Sequence, residues 1–361
     1  MDTQELIHLF GPPIEDAEEA GCTCKPVSLF AFTHAETFVL FSETASSGNL
    51  GFIDPRADTI DVCVAGRDFQ VTQSPAVLGS TRAGGTTGAV VWRITPALGA
   101  WLADSKCPLG GLLKRHTPNS STGSSYSSGS PHDDRGTYVL ELGCGVAGIL
   151  ALALGDRVER YVLSDQEYVR KLLHANIQAN APRGAWDDGS NEKAKDAPDE
   201  RGKTSGISSG GKHRARDKVV NQNHLSSMRH STGTSASQAG YIAFKPLDWE
   251  VMTPSAELTG RDGVGSFDLV VGCDCVYNEA LVGPFVETCE DVCRLRLQDW
   301  ELERKPTVCL VAQQLRDPTV FEAWIAEFHR SFETWRVPNE MLPVDLQSTN
   351  GLVIHIGILR T

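Results

Sequence analysis

The residues with chemistry to offer stand at the ends of apolar runs. The run Tyr138–Leu142 leads into Gly143-Cys144-Gly145-Val146-Ala147-Gly148, with Glu141 just inside it. Glycines at a strand-to-helix turn let the backbone come close to a ligand, and a helix start leaves N–H donors free. Asp165 ends the next apolar run, where its carboxylate is placed to take the two hydroxyls of a ribose. That pairing also suits a nicotinamide dinucleotide, whose site expects an acid about 20 residues beyond its glycines. Two features weigh against the dinucleotide. Glu141, two positions before the first glycine, suits a ligand with a positive amino group rather than a pyrophosphate. Leu247-Asp248-Trp249 follows a third run, where a broad ring and a carboxylate can flank an adenine. A glycine pattern alone is weak; these positions together are not.

A fourth run ends in Gly272-Cys273-Asp274-Cys275-Val276-Tyr277. Ligands of open α/β sheets bind beyond the carboxyl ends of the strands, so a carboxylate there with a phenol three residues on faces the entry of a substrate. The other reading is that Asp274 caps the next helix while Tyr277 packs, and the sequence leaves both open. His174 and His329 fall in expected helices and His355 inside the last apolar run, so no histidine is expected in catalysis. The ten cysteines form no paired CxxC site. Cys22 and Cys24, or Cys289 and Cys293, lack a histidine at useful spacing, and no metal is expected. Cys144, Cys273, Cys275 and Cys309 lie in apolar runs and read as free thiols of a reducing compartment.

The elements that must position these residues follow an alternating pattern from residue 137 onward. Strands are expected at Tyr138–Leu142, Tyr161–Ser164, Tyr241–Phe244, Phe267–Gly272, Thr307–Ala312, Thr334–Val337 and Leu352–Leu359, with helices between most of them. This predicts a Rossmann-like α/β fold: about seven strands in a mostly parallel sheet, helices on both faces, and an antiparallel final strand. Residues 1–87 read as a β-rich cap with runs at Phe38–Phe41, Leu50–Ile53, Asp61–Val64 and Phe69–Val71. Residues 88–361 form the main domain. It opens with Trp92 and a helix with Thr95 as N-cap and Pro96 in the first turn. Two stretches, 117–136 and 183–240, are rich in Ser, Gly and charge and are expected to be disordered insertions. The basic cluster Lys212, His213, Arg214, Arg216 and Lys218 is a candidate for incidental contact with RNA.

Bulk properties narrow the class. The 361 residues are 40% hydrophobic, enough to bury a sizeable core, and carry a net charge of −13. That balance argues against a broad nucleic-acid-binding face and suits a basic protein partner. No run approaches a membrane span and the N-terminus lacks a signal-peptide pattern, so a cytoplasmic location is expected.

Taken in order, Trp92, Glu141-Leu142-Gly143-Cys144-Gly145, Ser164-Asp165, Leu247-Asp248-Trp249 and Asp274-Cys275-Val276-Tyr277 resemble one family. They look like the seven-stranded class I protein-lysine methyltransferases marked by a D-x-x-Y motif after the fourth strand. Phrases such as VWRITPALGAWL, LELGCGVAGILALALG, SDQEYVRKLLHANI and PLDWE are similar to the fungal ribosomal-protein branch. The likeness spans about residues 88–182 and 241–361. It implies S-adenosyl-L-methionine as cofactor, in a site lined by Trp92, Glu141, Gly143, Cys144, Gly145, Asp165, Trp249 and Cys273. Glu141 lies beneath the methionine end, Asp165 holds the ribose and Trp249 borders the adenine. Asp274 and Tyr277 face an incoming lysine, and the implied substrate is a large-subunit ribosomal protein. One departure is Ala147, where most of the wider family has Gly; Gly148 follows one place later. The two insertions have no family counterpart. The alternatives keep the cofactor and change the acceptor to another protein nitrogen, RNA or a small molecule, or keep the fold as a non-catalytic binding module. D-C-V-Y in place of an N/D-P-P-Y/F motif favours lysine, and the intact Glu141, Asp165, Trp249 and Asp274 favour an enzyme.

Overall fold

The apolar runs form the strands their patterns predict, and burial says where each one sits. The computed structural model describes residues 1–14, 37–42, 51–81, 85–116, 136–187, 240–298 and 305–361, all in one compact unit. Helix α1 (Thr3–Phe10) opens the chain, with Asp2 and Glu5 in a reciprocal capping box. Residues 37–42 are helical (α2), not the strand expected at Phe38–Phe41. Four apolar residues have too short a run for their period to separate the two. Leu40 is fully buried there while Phe38 is exposed, and Phe41 meets Phe321 edge-on.

Strands β1 (Thr59–Val64) and β2 (Arg67–Thr72) pair as an antiparallel hairpin. Its two-residue turn has Ala65 and Gly66 both at positive φ, the backbone that matches the twist of the flanking strands. Ile60, Val62, Val64, Phe69 and Val71 alternate onto the core. Phe52 makes only an isolated bridge to Trp92. Helices α3 (Pro75–Leu78) and α4 (Ile94–Ala103) follow. Thr95 is not the cap of α4: the helix starts at Ile94, after Arg93 has bonded its N–H to the Gly51 carbonyl.

The main sheet contains β3 (Tyr138–Leu142), β4 (Arg160–Asp165), β5 (Trp186–Asp187), β6 (Ile242–Pro246), β7 (Leu269–Cys273), β8 (Val308–Gln314), β9 (Phe332–Arg336) and β10 (Leu352–Leu359). Their order is β5-β6-β4-β3-β7-β8-β10-β9. The pairings from β5 to β8 are parallel, and β10 runs antiparallel to both β8 and β9. All seven expected strands are present. The two-residue β5 is an eighth. It lies in the stretch expected to be an insertion from 183 onward, because Asp187 closes an ion pair with the buried Arg160 guanidinium at 2.5 Å. Residues 117–135 and 188–239, including Lys212 to Lys218, lie outside the described residues.

Helices cover both faces. Core residues of α4, α5 (Ile149–Leu154), α6 (Arg170–Asn180) and the hairpin share one cluster with Val139, Leu163, Leu269 and Leu310. Those of α7 (Val282–Leu297) and α8 (Pro318–Ser331) share the other with Leu140, Val162, Val270 and Val311. Successive strand residues thus feed opposite layers, and the central strands β3 and β8 are buried at every position. Among the described residues no helix is long and apolar enough to cross a membrane.

Candidate active site

Strand β3 pairs with β4 on one side and β7 on the other, so the chain's direction of winding reverses beside it. Such a switch point opens a crevice beyond the strand ends. A cleft of about 940 Å³ opens there, and all ten residues singled out from the sequence line it: Trp92, Glu141, Gly143, Cys144, Gly145, Asp165, Trp249, Cys273, Asp274 and Tyr277.

The glycine turn is shaped by close approaches. Gly143, Gly145 and Gly148 all have positive φ. A Cβ on Gly143 would press on Cys275 and Trp249, and one on Gly145 would strike the Gly88 carbonyl oxygen. Gly148 has a different task, since its Cβ would run into Ile177 and Leu173 of α6. Ala147 lines the cleft and is absent from the positive-φ residues, so an alanine sits there without backbone strain.

Glu141 is almost fully buried, at 2% exposure. The Tyr161 hydroxyl donates to its Oε2 at 2.8 Å, and among the described residues no cation pairs with it. Burial, above all, pushes its carboxyl up to about 8; nearby Asp165 adds to the rise and the Tyr161 bond opposes it. A buried carboxylate lacking a counter-cation is suited to a cationic ligand group. Asp165 accepts from the Gly145 N–H at 2.9 Å and the Gln166 N–H at 2.7 Å. Burial raises its carboxyl to about 6 against those two bonds. Trp249 packs edge-on to Phe285 at 5.2 Å, and its buried Nε1 has no partner. An orphaned indole N–H, a buried carboxylate without a counter-cation and a carboxylate beside a glycine turn together fit S-adenosylmethionine.

In D-C-V-Y the helix cap that one reading gave to Asp274 falls on another residue. Asn278, not Asp274, supplies the side-chain cap that follows, accepting from the Ala280 N–H. Tyr277 is 37% exposed and faces the cleft rather than packing in the core. Burial of the ring raises its hydroxyl above the ordinary tyrosine value, with a hydrogen bond to Thr87 opposing the rise. Asp274 sits at φ +59, a left-handed backbone that costs a non-glycine residue about 1–3 kcal/mol. Its carboxylate is held by Arg316 through Nη1 to Oδ1 at 2.8 Å and Nη2 to Oδ2 at 2.5 Å, and by the Gln314 N–H at 3.2 Å.

Several lining residues were not expected at the site from the sequence. Thr87 and Gly88 bridge from the N-terminal segment, where Val146 donates its N–H to the Gly88 carbonyl at 2.9 Å. Thr95 receives a bond from the Cys273 thiol at 3.6 Å. Tyr168 and Gln166 follow Asp165 closely enough that the strand-end rule could have found them. The histidines stand apart: His174 stacks on Trp186, and His355 lies against Phe321 and Trp324.

No family model matches the chain. Among curated proteins it is similar to the ribosomal lysine N-methyltransferase 5 of Zygosaccharomyces rouxii, 28% identical over 262 residues, which is 72% of this chain and 69% of that one. It is 24% identical over 302 residues to the Kluyveromyces lactis protein of the same name, covering 80% and 79% of the two chains. A Saccharomyces cerevisiae protein of that name is 35% identical over 133 residues, 33% of this chain and 36% of the relative. Among solved structures, a putative methyltransferase from Streptococcus mutans aligns with TM-score 0.37 and 10% identity, over 84% of this chain and 56% of that one.

Proposed function

We propose that the chain is an S-adenosylmethionine-dependent protein-lysine N-methyltransferase that acts on a large-subunit ribosomal protein in the cytoplasm. The observation that carries the reading is the convergence of ten residues, drawn from five separate stretches of sequence, on one cleft whose acceptor end is Asp274 and Tyr277. Relatives named as ribosomal lysine N-methyltransferases over most of both chains support the choice of acceptor.

When bound, S-adenosylmethionine supplies an electrophilic methyl group on a sulfonium. Holding it is the work of Trp92, Glu141, Gly143, Cys144, Gly145, Asp165, Trp249 and Cys273. Glu141 meets the ligand's ammonium, Asp165 takes the ribose hydroxyls, and Trp249 borders the adenine. For the acceptor, the first requirement is loss of a proton, since a lysine amine has an ordinary pKa near ~10.4. An apolar, water-poor approach lowers that value, so a dedicated base is not needed. Asp274 accepts a hydrogen bond from the amine while its carboxylate stays paired with Arg316. Tyr277 offers its ring or hydroxyl as positive charge grows on the nitrogen. Alignment of nucleophile and electrophile by these contacts supplies a proximity gain of up to about 7–11 kcal/mol.

The test is transfer of labelled methyl from S-adenosylmethionine into ribosomal proteins lacking prior methylation. Label in one large-subunit protein, lost in Asp165→Ala with cofactor affinity and lost in Asp274→Ala with cofactor affinity kept, supports the reading. A cofactor-binding wild type that labels no protein contradicts it.

A further inference from the structure

The acceptor end contains one charged residue that the site described above leaves without a purpose. Among the described residues the cofactor cleft is lined by five carboxylates, Glu141, Asp165, Asp248, Glu250 and Asp274, and by no lysine, arginine or histidine. Beside it lies a smaller cleft of about 260 Å³ that shares Tyr277 as a wall. Arg316 lines that smaller cleft and is the one cation among the described residues lining either. It stands between the end of β8 and Asp317, the N-cap of α8. Its guanidinium pairs with both oxygens of Asp274 and lies over the Trp92 ring, 4.7 Å from the centroid. Gln314 Oε1 accepts from its Nη2 at 3.2 Å, and Gly51 lies so close that an added Cβ would land on that oxygen. The Asp274 side chain is 2% exposed and that of Arg316 is 19% exposed, so the pair is little screened by solvent.

An acidic cleft attracts a lysine side chain but also holds it as the ammonium, which cannot attack a methyl group. A bare Asp274 next to the acceptor would worsen this, because an opposite charge nearby favours the charged form. A fixed cation close to an amine does the reverse and favours the free base. Resting on the lysine reading proposed above, we propose that Arg316 is a positioning residue that neutralises Asp274 and thereby sets the protonation of the incoming amine. Asp274 then offers a directed lone pair without the full pull of a free carboxylate. The proton leaves to solvent through the cleft mouth before attack. Among the described residues the other charged and titratable groups facing this region are Glu250 and Asp248 from the turn after β6, Asp165 and Glu141 from β4 and β3, the hydroxyls of Tyr168 and Tyr277, the thiols of Cys144, Cys273 and Cys275, and Asp317 from the cap of α8. None of these is a cation, so among the described residues Arg316 alone opposes the ammonium.

The experiment follows the pH dependence of kcat, which reports groups in the bound complex, on the ribosomal protein that the wild type labels, alongside cofactor affinity, in the full chain. In Arg316→Gln the acid limb moves to higher pH by about one unit, a loss of about tenfold at pH 7 that narrows as pH rises. Arg316→Lys keeps a charge but not the two-pronged grip, so its rate falls while the limb stays in place. Asp274→Asn leaves Arg316 uncompensated, and the limb of its residual activity moves to lower pH. Cofactor affinity, measured in all three, separates the limb shift from any loss of Arg316 packing on Trp92. An Arg316→Gln profile that falls in parallel with the wild type, at every pH, overturns the proposal. Should Arg316→Gln fail to fold, an Asp274→Asn limb that does not move overturns it equally. A wild type that labels no lysine defeats the functional reading itself, and this inference with it, and is distinguished because no variant is then at issue.

Discussion

Glu141 is the residue where electrostatics and ligand meet most directly. With its carboxyl pushed up to about 8 by burial, it is mostly protonated at pH 7. The sign of its effect follows: the folded value lies above the ordinary carboxylate range, so folding favours the protonated form. Its contribution to stability is complete below that range and is lost as pH rises toward about 8. An ammonium placed against it reverses the preference. Cofactor binding near pH 7 should therefore expel up to about one proton, measurable as a binding heat that varies with the ionisation enthalpy of the buffer. The release fades above about pH 9, where Glu141 has already ionised, and is largely absent in Glu141→Gln. A binding heat independent of buffer would contradict this account of Glu141. At the same scale, Asp274 shows what sequence conceals. Its place at a strand end was legible from the D-x-x-Y spacing, but its left-handed backbone and its grip by Arg316, 42 positions later, were not. Nothing in the run Gln314-Leu315-Arg316-Asp317 marks the arginine as a partner of a distant carboxylate.

Among the elements, α6 does more than cover the sheet. Asn176, 2% exposed, accepts from the Thr72 N–H at 2.9 Å and donates to the carbonyls of Thr72 and Val146 at 2.9 and 2.8 Å. One side chain thus ties the hairpin edge to the glycine turn. Asn176→Ala leaves the buried Val146 carbonyl unpaired, at a cost of about 1–3 kcal/mol, and frees the turn that carries Val146. Thermal unfolding should report the loss, with weaker cofactor binding beside it; a variant with unchanged stability and affinity would show that α6 does not brace the turn. The strand–helix alternation was readable because buried parallel strands make continuous apolar runs. Helix α2 was not, its run being too short to show a period. Nor was β5, which is held by a side chain rather than by its own pattern: Asp187 pairs with Arg160 and Arg261. Arg160 is buried, so Asp187→Ala strands a charge and costs about 3–5 kcal/mol, readable as a shifted denaturant midpoint. A cost below about 1 kcal/mol would mean that the Gly240 and Thr259 carbonyls satisfy Arg160 alone.

For the molecule as a whole, the net charge of −13 and the carboxylate-lined cleft point the same way. Proteins that bind RNA are basic, and an acidic enzyme draws them in by long-range attraction that salt screens. Raising ionic strength from low to about 0.5 M should raise KM for the protein acceptor while leaving cofactor affinity nearly constant. Equal sensitivity of both would locate the effect in the fold rather than in recognition. The central claim, that the acceptor is a lysine amine, is tested most directly by the chemical identity of the product. Ribosomal proteins labelled by the enzyme are hydrolysed to amino acids and the labelled species identified. The account predicts label as Nε-methylated lysine, absent from a parallel reaction with Asp274→Ala. Label in another amino acid, or in RNA with protein unlabelled, would contradict it.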